Sequence, residues 1–511
     1  MATRPTLRTA SGPITRRGPA PRIAPDRLGE YRRRALRLDG LLVASWVSVA
    51  LVIAFFLADD VAAGFVSVGQ SLTSLGILTG LVGTDLLLVM MLLSARLPLI
   101  DKAYGQDRAV TFHKKLGKPV LYLLLAHTIG LIAGYAMTEG VTPVAETLSL
   151  FLTVPDMWLA FAGVGLLIAV VVTSIVSVRR RFPYEAWLAV HLLAYVAVLA
   201  AVPHQFSTGA VFAPGTWQRG YWLALYLGLA GCIVAFRVVA PVARSFRHRL
   251  TVTGVRAAGP GAVTISMSGR NLESLPVQAG QFLLWRFLAA GLWWHAHPFS
   301  LSAAPGPIPA PGRQTGLSTA TATTASSTLP ASSALPASPP QELEITVRGL
   351  GAGSKKVLNV RPGTRVMIEG PYGIFTQQVR TSERIVMVGA GIGVAPIRSL
   401  LAEADFAPGN ATVILRAGTV QEVYLLSEID ELCRRRGAYL FVEAGPRPAN
   451  RTHWLPSASA DSGFSLLSYT PELASSDVYV CGPGPWSALV LAEARAAGVP
   501  AGAVHYERFS W

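Results

Sequence analysis

Cysteine is almost missing from this 511-residue chain: only Cys232, Cys433 and Cys481 occur. They stand far apart, without the close spacing that binds zinc or frames a disulfide scaffold, so both of those architectures are excluded. Charge is scarce too, at 14% of residues against 51% hydrophobic. That balance, with a positive mean hydropathy, excludes a wholly water-exposed chain and points to a membrane-embedded part. The net charge of +15 would suit nucleic acid. The arginines form no single motif, however, and gather at the N-terminus and at alternate helix ends, so no nucleic-acid partner is expected. Two further gaps are informative, because residues 59–76 and 137–156 contain no lysine or arginine.

Six apolar segments stand near 39–58, 77–98, 115–136, 157–178, 186–202 and 219–240. Each is long enough to cross a hydrocarbon core of ~30 Å, the fifth only just. The loop after the second carries Arg96, Lys102, Arg108, Lys114, Lys115 and Lys118, and the loop after the fourth carries Arg179, Arg180 and Arg181. The sixth runs into Arg244, Arg247 and Arg249, while the other loops lack cations. The positive-inside rule then puts both termini in the cytoplasm of a multi-pass cell-membrane protein. Residues 1–36, rich in Arg and Pro, read as a disordered basic tail able to touch anionic lipid. The membrane domain is expected over 37–243.

Four histidines fall inside these apolar helices: His113 and His127 in the third, His191 and His204 in the fifth. Ionisable side chains are expensive in lipid and normally face a bundle interior with a function. On a helix rising about 1.5 Å per residue, each pair spans roughly 20 Å. Under the expected topology His113 and His191 lie near the cytoplasmic face, and His127 and His204 near the outer face. Depth-matched imidazoles suit the axial positions of two haem irons, so two bis-histidine haems are expected. The 13-residue step from His191 to His204 turns an ideal helix about 140°. A shared face requires distortion there, which Pro203 can supply.

Beyond residue 249 the pattern shortens into β-rich runs: Leu250–Val255, Ala262–Met267, Gln281–Phe287, Leu343–Arg348 and Arg365–Ile368. They predict a small antiparallel barrel over 244–381, interrupted at 303–340 by Ala, Pro, Ser and Thr with one charge, Arg313. After Glu383, strands at Arg384–Val388, Thr412–Arg416, Tyr439–Glu443 and Asp477–Cys481 alternate with helices at Pro396–Ala404 and Ser427–Arg436. That alternation predicts a doubly wound α/β domain over 382–511. Gly389-Ala-Gly-Ile-Gly-Val-Ala-Pro396 follows a strand and opens a helix, a turn that suits a pyrophosphate. Val480-Cys-Gly-Pro-Gly484 should end another strand on the same edge, where such sheets bind ligands.

His297-Pro-Phe-Ser300, Gly351-Ala-Gly-Ser354, Glu369-Gly-Pro-Tyr-Gly373, the glycine turn and Cys481-Gly-Pro come in one order. In that order they resemble the flavin and pyridine-nucleotide modules of the ferredoxin–NADP reductase superfamily. The upstream helices resemble the ferric reductase and NADPH oxidase transmembrane domain, with two histidines on the third helix and two on the fifth. The likeness covers about 40–511, apart from the insertion. It implies that His297, Pro298, Phe299 and Ser300 line FAD, with Ser300 near the isoalloxazine. Arg348, Gly353 and Ser354 would contact the FAD pyrophosphate. Gly389, Gly391, Gly393 and Pro396 would shape the nucleotide site, with Cys481, Gly482 and Pro483 near the nicotinamide. Ser300, Cys481, Glu507 and Trp511 would be the catalytic set, Trp511 covering the flavin face. Arg416, Arg447 and Arg451 follow strands where a 2′-phosphate would lie, which favours NADPH over NADH. Arg96, Tyr184 and Glu185 fall at cytoplasmic helix ends and read as interface anchors.

The expected function is transfer of electrons from NADPH through FAD and two b-type haems to an acceptor outside. Six-coordinate iron leaves no open position, so the last step should be outer-sphere. Ferric chelates and dioxygen both fit. The second helix has no arginine in its outer half (Ile77 to Leu93), which favours metal reduction over a superoxide-producing oxidase. A haem subunit feeding a separate partner protein is the remaining alternative, and the flavin and nucleotide motifs speak against it. The residues leave oligomeric state open.

Overall fold

The computed structural model describes residues 25–58, 65–179, 181–182, 184–307, 341–450 and 452–508. The expected N-terminal tail up to residue 24, most of the insertion, Arg180, Arg451 and Trp511 lie outside them. The chain divides into a helical unit, Arg33–Val239, and a second unit from Ala240 onward.

The helical unit contains α1 (Pro25–Ala58), α2 (Val68–Ser94), α3 (Pro98–Tyr104), α4 (Gln106–Glu139), α5 (Pro143–Thr153), α6 (Met157–Ser174), α7 (Val176–Arg179), α8 (Tyr184–Thr208) and α9 (Trp217–Ile233). Among the described residues six helices are long and apolar enough to cross a membrane, one for each apolar segment of the sequence. Several differ in extent from expectation. α1 already begins at Pro25, so residues 25–36, expected as part of a disordered tail, are helical. α2 starts at Val68, nine residues before the apolar run, capped by Ser67 Oγ accepting from the Gln70 amide. α4 reaches back to Gln106, so Lys114, Lys115 and Lys118 stand on a helix rather than in a loop. α8 continues to Thr208 with Pro203 inside it. The short α5 was not anticipated. A π-helical stretch, Val234–Val239, follows α9 before α10 (Ala240–His248) opens the second unit.

Close approach of α2 and α4 depends on glycine. A Cβ on Gly76 would lie 3.1 Å from the Leu131 amide, and one on Gly130 would lie 3.1 Å from Gly76 Cα. Small residues are the usual way for membrane helices to gain van der Waals contact, since lipid supplies no hydrophobic drive between them.

In the second unit, β1 (Leu250–Gly259), β2 (Ala262–Ser268), β3 (Phe282–Phe287), β4 (His297–Pro307), β5 (Gln341–Arg348) and β6 (Arg365–Tyr372) close into an antiparallel barrel. Its order is β1-β2-β5-β4-β3-β6. β6 alternates buried and part-exposed residues, as a strand with one face on the core must. Ile265, Leu283, Trp285 and Ile345 fill the interior. β4 was not foreseen as a strand, and its pairing continues to Pro307 opposite Gln341, so the insertion begins after Pro307 rather than at 303. α10 packs on β6 through Arg244, which donates to the Gly370 carbonyl at 2.6 Å, and Ser245, which accepts from the Ile368 amide at 3.0 Å.

The remaining strands, β7 (Arg384–Ala390), β8 (Ala411–Ala417), β9 (Tyr439–Ala444), β10 (Ser476–Gly482) and β11 (Val504–Arg508), form a parallel sheet in the order β11-β10-β7-β8-β9. β10 is buried along its whole length, as expected of a sheet covered on both faces. The helices α11 (Ala352–Val357), α12 (Val394–Glu403), α13 (Leu426–Arg436), α14 (Ser457–Asp461), α15 (Leu466–Tyr469) and α16 (Gly484–Ala496) complete the unit. The strand order reverses between β7 and β10, which puts a crevice at the carboxyl ends of those two strands.

The pairing of Pro307 with Gln341 means that residues 308–340 leave and re-enter the barrel at a single rung. Replacing them with a four-residue Gly/Ser turn should therefore preserve FAD content, measured by flavin absorbance, and NADPH-dependent dye reduction to within about twofold. Loss of bound flavin would show that the segment contributes to the cofactor site.

Candidate functional site

In the helical unit the four histidines fall on α4 and α8. The rings of His113 and His191 stand 6.0 Å apart between centroids. Two imidazoles on opposite sides of one metal, each about 2 Å from it, have centroids about 6 Å apart. His113 Nδ1 lies 2.9 Å from the Met90 carbonyl and His127 Nδ1 lies 2.9 Å from the Gly76 carbonyl. A carbonyl can only accept, so both Nδ1 atoms carry the proton and both Nε2 lone pairs are left for a ligand. His191 Nδ1 meets Ser174 Oγ at 3.2 Å. That hydroxyl gives its own proton to the Val170 carbonyl at 2.7 Å and accepts from Trp187 Nε1 at 3.3 Å, so it faces His191 as an acceptor as well. Trp187 stacks on His191 with centroids 4.9 Å apart, and the Arg179 guanidinium lies 4.5 Å from the centre of the Trp187 ring. His204 is an electrostatic neighbour of His127, with the Ala201 backbone beside its ring, and its Nδ1 is buried.

No group of three or more His, Cys, Asp or Glu side chains suited to a metal ion occurs among the described residues. A bare transition metal needs three or four protein ligands. Imidazoles offered in pairs, three of the four with Nδ1 held by an oxygen, fit an iron that brings its equatorial ligands with it, as haem does. Gly80 is part of this arrangement, since a Cβ there would collide with the His127 ring.

In the second unit Ser300, Cys481 and Glu507 come together. Ser300 Oγ donates to the Glu507 carboxylate at 3.2 and 3.3 Å. Glu507 on β11 lies in register with Cys481 on β10, and Cys481 in register with Gly389 on β7. Cys481 is wholly enclosed, and its thiol is pushed well above the ordinary range by burial and then by the Glu507 charge. It is a neutral, compact wall rather than a thiolate nucleophile. Gly393 approaches the Cys481 carbonyl so closely that no side chain fits, and Gly391 takes a φ of +56°. These two glycines bring the turn after β7 against the end of β10.

The residues expected to line FAD form a second cluster. His297 stacks on Phe299, the rings 5.7 Å apart and 5° from parallel. Trp285 Nε1 donates to the Phe299 carbonyl at 2.9 Å. A Cβ on Gly353 would lie 3.0 Å from His297 Cε1, so Gly351–Ser354 folds over this strand. Ser354 Oγ accepts from the Gly351 amide at 2.9 Å. Arg348 is exposed, 5.8 Å from the centre of the Tyr424 ring, and its guanidinium faces the Gly391 turn. His297 Nε2 is buried without a partner. Burial, then His295 and Arg286, lower the His297 pKa to about 4.

Of the arginines expected at a 2′-phosphate, Arg416 is buried and tied to carbonyls, those of Ala417 and, at 2.8 Å, Gly445. Burial and neighbouring Arg447 lower its pKa to about 10. Arg447 is exposed at the end of β9. Pro396 is buried in α12, Pro483 leads into α16, and a Cβ on Gly482 would strike the Trp486 ring. Arg96 and Glu185 stand at the ends of α2 and α8. Sequence reasoning missed Ser174, Trp187 and Gly80. The recurrence of Gly76, Gly80 and Gly83 along one helix was the available signal for the last.

The architecture therefore defines a multi-pass membrane protein joined to a flavin- and nucleotide-type reductase module. Residues 79–202 match the family described as the ferric reductase like transmembrane component. The ferredoxin–NAD(+) reductase component of an alkene monooxygenase system from Xanthobacter autotrophicus is 31% identical over 31% of this chain and 49% of its own. Ferredoxin–NADP reductase B of Sorangium cellulosum is 30% identical over 34% of this chain and 73% of its own. The flavohem-like FAD/NAD binding domain of a nitric oxide dioxygenase from Vibrio cholerae is 18% identical, with a TM-score of 0.35 over 51% of this chain and 98% of that one. The chain spans about half the length of the monooxygenase reductase components it matches. Through the Sorangium relative the chain belongs to the ferredoxin–NADP reductase family, joined here to a ferric reductase-like membrane component.

Two outcomes follow from this geometry. If the Ser300 hydroxyl handles a proton, Ser300→Ala should slow flavin reduction by a nicotinamide nucleotide about 10²-fold in stopped flow, rated per bound FAD. Acidification should loosen the His297 region. Its folded pKa lies below the unfolded value of 6.5, so the unfolded form binds more protons between those values. The stability it contributes is complete above pH 6.5 and lost as pH falls toward 4. FAD release, followed by flavin fluorescence, should rise across that window in the native protein and flatten in His297→Asn.

Proposed function

We propose that this chain carries electrons across a membrane, from cytoplasmic NADPH through FAD and two b-type haems to an extracytoplasmic acceptor. Ferric chelates are preferred to dioxygen as that acceptor. The observation that carries the reading is the histidine pairing, with His113 and His191 6.0 Å apart and their Nδ1 atoms engaged. That pairing occurs in one chain with the Ser300–Glu507–Cys481 edge.

His113 with His191, and His127 with His204, would hold the two irons, which when bound supply one-electron carriers closed to direct ligand binding. Met90, Gly76 and Ser174 hold the imidazoles in the tautomer that ligation needs. In the reductase half His297, Pro298, Phe299, Ser300, Arg348, Gly353 and Ser354 would hold FAD, which when bound supplies hydride acceptance and single-electron release. Gly389, Gly391, Gly393, Pro396, Gly482 and Pro483 shape the NADPH site. Glu507 orients Ser300 and can exchange a proton with it, and Cys481 would exclude water from the nicotinamide site. Trp511 would cover the flavin face. Arg447 rather than Arg416 would meet the 2′-phosphate, because Arg416 is engaged with carbonyls. Both termini would be cytoplasmic, by the distribution of Lys and Arg.

A pyridine haemochrome assay should return two haems per chain, and one or none in folded protein would sink the reading. His204→Leu should remove one haem, leave NADPH reduction of flavin and of the remaining haem, and abolish reduction of a membrane-impermeant ferric chelate. His191→Leu should leave only slow dye reduction by the flavin domain. Superoxide formation faster than ferric-chelate reduction in the native protein would reverse the choice of acceptor. Arg447→Ala should raise KM for NADPH at least tenfold and leave that for NADH within twofold.

A further inference from the structure

One ionisable group in the helical unit has no part in the chemistry above. Asp85 lies in the middle of α2 and is 1% exposed. Its Oδ1 accepts from Ser48 Oγ of α1 at 2.6 Å, and its Oδ2 is buried without a partner. Ser48 Oγ in turn lies 2.7 Å from the Tyr221 hydroxyl of α9. Tyr221 is only half-buried and stands four residues into α9, whose first residue is Trp217. The rest of the surroundings are apolar: Leu81 and Leu88 of α2, Val52 and Phe55 of α1, Trp222 of α9. The groups facing the carboxyl are therefore the Ser48 hydroxyl from α1 and, beyond it, the titratable Tyr221 phenol from α9. Among the described residues no Lys, Arg or His acts on Asp85.

A buried carboxylate without a cation is costly in a bilayer, and such residues mark proton or ion pathways. Two features indicate a proton. The three oxygens form an unbroken hydrogen-bonded line, in which each hydroxyl can give one proton while taking another. The line begins one turn from the end of a helix. The carboxyl also lies, along α2, between the two residues whose carbonyls anchor the histidines. It is nine residues from Gly76 and five from Met90, or roughly 13 and 8 Å of helix rise.

We propose that Asp85 is a redox-linked proton-binding site, loaded through Tyr221 and Ser48 when electrons enter the bundle; this rests on the haem reading above. With haem bound, the electron would come from NADPH by way of the flavin and would convert ferric to ferrous iron. The proton comes from water at the end of the bundle where α9 begins. Tyr221 takes it up and passes its own proton to Ser48, which passes its own to Oδ1, where the new O–H bond forms. Oxidation by the acceptor reverses the sequence, so electrons and protons balance over a turnover. In a medium of effective dielectric about 20, a unit charge placed on the order of 12 Å from a carboxyl would alter its proton affinity roughly tenfold.

The test is redox titration of the purified full-length protein in nanodiscs between pH 5.5 and pH 9, after the haemochrome count. In the native protein at least one haem midpoint should fall as pH rises, by a total of about tenfold in the reduction equilibrium, or ~59 mV. Asp85→Asn with both haems bound should be flat, and Asp85→Glu should retain the dependence. Ser48→Ala should keep the span but slow proton uptake, read with a pH dye after rapid reduction. A flat native titration overturns the proposal, as does Asp85→Asn with a native slope, which would place the proton elsewhere. If Asp85→Asn fails to take up haem, Ser48→Ala decides: proton uptake at the native rate overturns the relay, and slowed uptake supports it. Absence of haem from the native protein would instead refute the haem reading, and this inference with it.

Discussion

The membrane unit is organised by the need to satisfy imidazole N–H groups where no water is available. An unpaired donor in an apolar bundle costs on the order of 1–3 kcal/mol, and each histidine has two ring nitrogens to settle. For three of the four, one nitrogen is settled by an oxygen of a neighbouring helix: Met90 and Gly76 of α2, and Ser174 of α6. The geometry of the helices follows. α2 must lie against α4 closely enough for a side chain of one to reach a main-chain oxygen of the other, and Gly76, Gly80 and Gly130 permit that distance. The glycines, the carbonyls and the histidines are thus one device.

The reductase half applies the opposite strategy. Its functional side chains are not anchored to main-chain carbonyls but converge from different strands at one edge. Ser300 arrives on barrel strand β4, Cys481 on β10 and Glu507 on β11. Parallel register places Cys481 between Gly389 and Glu507, and the hydrogen bonds from Ser300 tie the barrel to that edge. A hydrogen-bonded pair assembled across two folds is sensitive to their relative placement, which is why Gly393, pressed against the Cys481 carbonyl, matters as much as the polar residues.

Much of this was legible in the sequence, and the omissions have physical causes. Long apolar runs identify six spans, but hydropathy blurs their ends where charge and helix coexist. Lys114, Lys115 and Lys118 interrupt hydropathy without interrupting α4, because lysine is a good helix former. Pro203 did not end α8, because a proline late in a packed helix removes one bond rather than the whole ladder. β4 escaped notice because its first residues read as a motif and include Pro298. β11 escaped because His505, Glu507 and Arg508 hide a five-residue strand. Glu507 itself was found by resemblance, not by pattern. The anchors of His113 and His127 could not be read at all, since a main-chain oxygen carries no residue identity.

Asp85 shows the limit of pattern reading from the other side. In the sequence it is a single acid in an apolar run, and residue type alone gives no reason to prefer a function over a tolerated defect. The hydroxyls that give it meaning come from residues 37 positions before it and 136 after it. A carboxyl left as a defect would be expected to turn toward the nearest helix end or to acquire a cation, because either relieves its burial. Asp85 does neither. It is fully enclosed, and it is linked by hydroxyls to the start of α9 while α2 carries it between the two anchoring carbonyls. That combination of confinement with a proton-conducting contact is difficult to reconcile with a merely structural carboxyl, since a serine or asparagine would satisfy Ser48 without burying a potential charge.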